Sequence, residues 1–88
     1  MGWQYFEWPN YFSLAPHATL HLSWFFGSDG KDHGIFQTGV EPKTPGSNFV
    51  ISNQFEGMSN DGGIHYGCDV TNTSDYPAIF KIRNGGGS

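Results

Sequence analysis

An alternation of apolar and polar side chains near the C-terminus is the feature that most constrains the fold of this chain. Between residues 64 and 70 every second side chain is apolar or aromatic, and the same alternation returns between residues 78 and 82. A period of two is typical of β-strands with one buried face. The residues from 72 to 77 are rich in turn formers. The pattern therefore predicts two strands joined by a short loop as an antiparallel hairpin.

The rest of the chain offers more short strands and no helical period. Extended segments are expected at residues 3–7, 11–14, 17–26, 35–40 and 49–55. Thirteen glycines and five prolines supply the turns between them. We therefore predict an all-β fold, a small antiparallel two-sheet sandwich of six to seven strands. Residues 1–84 should form this single domain, and the Gly/Ser residues 85–88 should form a linker-like tail.

The strand parities also predict which side chains fill the space between the two sheets. One apolar residue in two should face inward on each strand, because both inner faces of a sandwich are apolar. The predicted core consists of Leu20, Leu22, Trp24, Phe49, Ile51, Tyr66, Cys68, Val70, Phe80 and Ile82. Thr71 and Lys81 have the opposite parity and should face outward.

The segment Tyr66-Gly67-Cys68, preceded by Asp61-Gly62-Gly63, resembles the Tyr-x-Cys strand of immunoglobulin-like domains. Residues 70–73, followed by residues 77–80, are similar to the last hairpin of bacterial Ig-like and fibronectin-like domains. The resemblance implies an Ig-like sandwich. It also implies a hydrogen bond from the Tyr66 hydroxyl to the backbone of the turn at residues 60–63. Since no second cysteine is present to pair with Cys68, the resemblance is to a looser Ig-like sandwich than an antibody domain.

Charge and composition exclude several classes of function. The formal net charge is −4 and the chain has only four Lys and Arg residues, so it lacks the cations that neutralise nucleic-acid phosphates. No apolar run approaches the roughly 18–20 residues of a membrane span. Cys68 is the only cysteine, which excludes an intrachain disulfide, and its inward parity predicts a buried, unreactive thiol. We expect an extracellular or cell-surface location, although no signal peptide is visible.

A cluster of aromatic residues near the N-terminus is the strongest candidate for a binding site. Six of the ten residues from 3 to 12 are aromatic, more than one short strand can bury on one side. Exposed Trp and Tyr rings can stack on the C–H faces of sugars, and each adds a polar edge. The predicted ligand-binding residues are Trp3, Tyr5, Trp8, Tyr11, Asn10 and His17.

These residues predict a non-catalytic binding module whose partner is a glycan. A first alternative is a structural or assembly domain, such as a surface, capsid or toxin subunit, whose aromatics pack against a protein partner or a second copy of the chain. In a further alternative the same rings belong to the core. A small enzyme is the remaining class, but the chain has no nucleophile–base motif and no paired acidic residues that would support it.

Metal sites and modification sites are weaker candidates. Asp29, Asp32 and Asp61 lie in predicted loops and could offer oxygen ligands to calcium, although Asp-Gly pairs also form ordinary turns. His21 and His65 could meet across neighbouring strands, but no third zinc ligand is evident, so we predict no cofactor. The triplet at residues 72–74 matches the N-glycosylation sequon.

Overall fold

The computed structural model of the protein describes residues 4–25 and 36–86, and all its regular elements there are β-strands. The six strands are β1 (Gln4–Leu14), β2 (Thr19–Phe25), β3 (Phe36–Pro42), β4 (Phe49–Met58), β5 (Ile64–Asn72) and β6 (Ala78–Gly86). They form two three-stranded antiparallel sheets. Sheet I has the order β1-β6-β3 and sheet II the order β2-β5-β4. The predicted all-β, two-sheet fold is confirmed.

The predicted hairpin of β5 and β6 is wrong. The two strands lie in different sheets, and the loop at residues 73–77 carries the chain from sheet II to sheet I. Of the consecutive strands, only β4 and β5 pair with each other. An alternating pattern shows that a strand has one buried face, but it does not show which strand is its neighbour. Two strands in opposite sheets of a sandwich each bury one face against the same core. They therefore show the same alternation of apolar and polar residues as two strands of a hairpin.

The N-terminal aromatic segment forms one long strand instead of the two short pieces expected. In β1, residues 8–10 lie opposite Ile82 alone, between the pairs Glu7–Arg83 and Tyr11–Lys81. This bulge accommodates Pro9, whose missing N–H is tolerated at a bulge on an edge strand. Because the bulge adds two residues, an even number, odd-numbered side chains such as Tyr5 and Tyr11 point to the same side of the sheet before and after it.

The C-terminal strand extends further than the sequence indicated. β6 continues through Gly86, so the first two residues of the segment 85–88 belong to sheet I, where they pair with β1 and β3. Composition suggested a linker because glycine has no side chain to form an alternating pattern. The backbone of these glycines can nevertheless pair in a sheet, since strand pairing uses only backbone groups.

The predicted core is confirmed. Cys68, Val70, Phe80 and Ile82 are completely buried between the sheets, and Tyr66 is almost so. The other five predicted core residues pack against this cluster partly buried. Four more apolar side chains join them, and these are Trp8, Phe12, Leu14 and Val40.

Two buried asparagines connect the strands at the two ends of the core. Asn84 donates from Nδ2 to Thr38 Oγ1 at 2.9 Å, and its Oδ1 accepts from Trp8 Nε1 at 2.6 Å, so that it joins all three strands of sheet I. Asn72 is 0% exposed and bonds three backbone carbonyls and one backbone N–H. Its amide is therefore inaccessible to glycosylation in the folded domain, although it begins a sequon.

Candidate functional site

The outer face of sheet I carries the two most exposed tyrosines of the described residues. Tyr5 is 57% exposed and Tyr11 is 65% exposed, and the bulge leaves both on the side of β1 that faces away from the core. Tyr5 pairs with Gly85 and Tyr11 pairs with Lys81, four residues apart on β6. At the rise of about 3.3 Å per residue in a strand, the two tyrosines are about 13 Å apart. We call this surface the tyrosine face.

Strand register determines which side chains surround the tyrosines. Since β6 pairs with β1 on one side and with β3 on the other, residues of all three strands form rows across the sheet. The three rows of the tyrosine face are Tyr5–Gly85–Gln37, Glu7–Arg83–Gly39 and Tyr11–Lys81–Glu41. The glycines leave the sheet surface open beside Tyr5 and beside Arg83.

Glu7 connects the two tyrosines through polar contacts. The Tyr5 hydroxyl donates to Glu7 Oε2 at 3.0 Å, and Lys81 Nζ lies 3.3 Å from Glu7 Oε1. The same ammonium lies 5.4 Å from the centroid of the Tyr11 ring, a cation–π distance. These contacts restrict the orientation of both rings before any ligand arrives.

The Glu7 carboxylate between the tyrosines is ionised at neutral pH. The Tyr5 hydroxyl, and then the Lys81 ammonium, lower the pKa of Glu7 from its ordinary value of 4.5. Arg83 lies along the sheet beside Gly39 and donates from a guanidinium nitrogen to the Val40 carbonyl at 3.1 Å. The face thus presents fixed donors and acceptors beside two flat rings.

Of the predicted ligand-binding residues, the structure brings only Tyr5 and Tyr11 onto one face. Trp3 lies outside the described residues. Trp8 has the inward parity: it is half-buried and meets the Trp24 ring edge-on, with the centroids 5.8 Å apart. Asn10 is exposed within the β1 bulge.

His17 lies at the opposite end of β1 from Tyr5. It occupies the turn between β1 and β2 with a positive φ of 62°, and Nε2 lies 3.0 Å from Asp75 Oδ1. The Ala18 N–H bonds back to the Ala15 carbonyl, and Pro16 precedes His17, as in a type II turn. His17 therefore has a local structural setting and makes no contact with the tyrosine face.

The structure also locates the weaker metal candidates. Asp61 accepts from the Ser59 hydroxyl and from the Gly63 N–H within its own turn, and these bonds lower its pKa, the hydroxyl contributing most. Asp29 and Asp32 lie outside the described residues. In residues 4–25 and 36–86, no group of three or more His, Cys, Asp or Glu side chains could hold a metal ion.

His21 and His65 do not meet, contrary to the zinc alternative considered for the sequence. His21 lies opposite Asp69, whereas His65 lies opposite Phe25, four residues along β5 or about 13 Å away. His21 Nδ1 instead lies 2.5 Å from Asp69 Oδ1. Hydrogen bonds from the Asn53 amide and then from His21 lower the pKa of Asp69.

The sequence reasoning missed the charged partners of the tyrosines. Lys81 and Arg83 alternate outward on β6, which was a usable signal of a solvent-facing pair. Their position beside Glu7 was not predictable, because it depends on the pairing of the first strand with the last. Gln37 and Glu41 joined the face for the same reason, through β3.

Comparison with known proteins gives no relative to compare this site with. No protein family, curated protein or solved structure matches the chain significantly. Among the described residues, none belongs to a helix with the length and apolar composition needed to cross a membrane.

Proposed function

We propose that this protein is a non-catalytic binding module that recognises glycan through the tyrosine face. The observation that carries the proposal is the pair of exposed rings, Tyr5 and Tyr11, held on one face with ionised Glu7 between them. Flat rings stack on the C–H faces of sugars. The adjoining charged groups can bond sugar hydroxyls, and charge-assisted hydrogen bonds of this kind are the stronger ones.

The balance of charges on this surface favours an uncharged ligand. Glu7 and Glu41 form ion pairs with Lys81 and Lys43, at 3.3 and 3.2 Å. With Arg83 the surface carries three cations and two anions, a net charge of only +1. Such a surface has no field of one sign that would attract a polyanion. A spacing of about 13 Å between the tyrosines also exceeds one sugar ring, so we propose an oligosaccharide as the ligand.

Glycan-array screening followed by calorimetry with a soluble oligosaccharide hit tests the proposal. Tyr5→Ala and Tyr11→Ala should each weaken binding about tenfold or more, since each removes a stacking ring, and neither should change the melting temperature much. Tyr76→Ala is the matched control, because Tyr76 is an exposed tyrosine outside the face. Absence of any glycan hit for the parent protein, or an equal loss in the control, would contradict the proposal.

One observation favours an assembly interface as a second candidate function. Ile79 is 45% exposed on the outer side of β6, which extends the apolar surface of the tyrosine face. A contiguous exposed apolar patch often marks a contact between proteins. In that case sedimentation across a concentration series should show a dimer, and Tyr11→Ala should shift the mass towards the monomer. A strict monomer at high concentration would exclude a homo-oligomer.

The order of strands supports an Ig-like arrangement, which we propose as the finer description of the fold. With the six strands lettered A to F along the chain, sheet II has the order B-E-D, and β3 pairs with β6 as C pairs with F. β1 takes the free edge beside β6. This lettering places Tyr66 and Cys68 on the fifth strand, so the support comes from the sheet order and not from the Tyr-x-Cys motif. An extracellular or cell-surface location would suit a glycan-binding module, and we propose it on that ground alone.

A further inference from the structure

A cleft at one edge of the sandwich shares Gln37 with the tyrosine face but includes neither of its tyrosines. It has a volume of about 240 Å³ and lies between β3 of sheet I and β4 of sheet II. We call it the edge cleft. Its principal lining residues are Trp24, Phe36, Tyr66, Gln37, Gln54 and Glu56.

Three packed aromatic rings form the rigid wall of the edge cleft. Phe36 meets Tyr66 edge-on, with centroids 5.3 Å apart, and Tyr66 stacks on Trp24 at 6.3 Å. Tyr66 is only 2% exposed, so this wall is part of the folded core. A ligand in the cleft would therefore meet a preformed aromatic surface.

A bulge in β4 places polar groups against that wall. The register shifts between the pairs Ser52–Asp69 and Phe55–Gly67, which inserts one residue into β4. Asn53 adopts a positive φ of 54° at this point, a conformation that Asn tolerates better than most residues. Without the inserted residue, every later side chain of β4 would face the opposite side.

The polar groups that result are the Glu56 carboxylate and the Gln54 amide. Glu56 pairs with Tyr66 and therefore projects from the same face of sheet II, towards the cleft. Gln54 Oε1 accepts from the Thr38 N–H at 3.2 Å and joins the edges of the two sheets. In the part of the chain that the structure describes, no cation lies within ion-pair distance of Glu56.

The chemistry of the cleft is complementary to a cation. The face of an aromatic ring is negative and attracts ammonium groups, and this attraction grows where water is excluded. A carboxylate beside such rings adds charge complementarity, and the chain as a whole is negative at −4. The volume is below the roughly 300–1,000 Å³ of pockets for drug-sized ligands, so the ligand must be small.

We propose that the edge cleft binds a small organic cation, an ammonium group carried on an apolar body. The apolar body lies against the half-buried Phe36 and Trp24 rings, and the ammonium group lies between these rings and the Glu56 carboxylate. The lining of this site includes none of Tyr5, Glu7 and Tyr11, so the proposal does not rest on glycan recognition.

Titration of the protein with benzyltrimethylammonium, followed by NMR, tests the proposal. The indole N–H of Trp24 should shift with saturation, and neutral benzyl alcohol, which has a similar ring, should bind at least tenfold more weakly. Glu56→Gln should lose most of this preference for the cation. Glu7→Gln is the matched control, because it neutralises an exposed glutamate on the tyrosine face, and it should bind the cation as the parent does. Added salt should weaken the binding of the cation to the parent.

Several results would overturn the proposal. These are the absence of a Trp24 shift at millimolar cation, equal binding of benzyl alcohol, or an unchanged preference in Glu56→Gln. Because Glu56 is exposed, the variant should fold, and the dispersion of its amide spectrum checks this. Tyr5→Ala should bind the cation normally, so failure of the glycan proposal and failure of this one are distinguishable.

Discussion

Asn72→Asp should strongly destabilise the protein although it replaces only one group of a buried side chain. The side chain keeps its size, but the Nδ2 donor becomes an oxygen. Nδ2 lies 3.1 Å from the Leu14 carbonyl, 3.3 Å from the Ala15 carbonyl and 3.0 Å from the Tyr76 carbonyl. The new carboxylate oxygen would face three carbonyl oxygens in a site that is 0% exposed.

The expected loss of stability follows from the hydrogen bonds that the Asn72 amide would no longer donate. Two donated hydrogens disappear, and a buried acceptor without a partner costs about 1–3 kcal/mol. An uncompensated buried charge typically costs about 3–5 kcal/mol. We therefore expect Asn72→Asp to lose at least about 4 kcal/mol at pH 7. This is a large part of the free energy of unfolding of an 88-residue domain, which is about 4–13 kcal/mol at about 0.05–0.15 kcal/mol per residue.

The loss should depend on pH with a definite sign. Burial among carbonyls would raise the pKa of the introduced carboxyl above its value in the unfolded chain. The destabilisation should then be smallest below the unfolded pKa of about 3.9, and it should grow as the pH rises towards the folded value. Protonation also restores one donor to the site. The variant should consequently be closer to the parent at pH 4 than at pH 7.

Urea unfolding followed by tryptophan fluorescence at both pH values measures this effect. Asn48→Asp is the matched control, because Asn48 is an exposed amide at the same end of the sandwich, bonded to the Thr73 hydroxyl at 2.9 Å. The control should change stability by less than about 1 kcal/mol. If Asn72→Asp matches the control at pH 7, or shows no pH dependence beyond it, the assigned role of the buried amide is wrong.

Three further predictions concern single groups. Gly67→Ala should lose about 1–3 kcal/mol in urea unfolding, because the new Cβ would lie 2.5 Å from the Leu22 carbonyl oxygen, whereas Gly39→Ala, with its nearest atom at 3.6 Å, should change little. Burial raises the pKa of the Cys68 thiol, so Ellman's reagent should label it only when urea unfolds the protein. The lowered pKa of Glu7 contributes stability that is present above its ordinary value of 4.5 and lost as the pH falls through the folded value, so Glu7→Gln should flatten the acid limb of thermal melts.

Each of these expectations has a contrary result. Equal unfolding curves for the two glycine variants would show that the backbone beside Leu22 can yield. Rapid labelling of the native thiol would mean that the centre of the core opens readily. An acid limb unchanged by Glu7→Gln would mean that its ion pair is too screened by solvent to matter, as many surface pairs are.

The local part of the fold was predictable because strand alternation reports directly on burial. Leu22, Cys68 and Phe80 were assigned to the core from parity alone, and the structure places them there. The neighbours of each strand were not predictable in the same way. The pairing of β1 with β6 joins residues nearly a whole chain apart, and no local pattern in either strand specifies it.

The same limit explains the mixed result for the candidate site. Tyr5 and Tyr11 have the outward parity and are exposed. Trp8 belongs to the other parity, and its indole is occupied by Asn84 inside sheet I. An aromatic-rich segment shows that some rings must leave the core. Which rings do so depends on the bulge at Pro9. The sequence predicts a turn there, but the strand continues, and the side chains on either side of the bulge point to the same faces of the sheet as in a regular strand.

The arrangement of sheet I has a consequence for how the chain is made. In the described structure β6 is the central strand of sheet I, and both β1 and β3 pair with it. During synthesis the first strand therefore leaves the ribosome long before its partner exists, and sheet I cannot assemble until the last strand has emerged. Sheet II consists of β2, β5 and β4, so it can assemble before β6 has emerged. Its apolar face is then available for contact with β1 and β3. The apolar side chains of β1 are consequently open to chaperones and to other nascent chains until β6 has emerged.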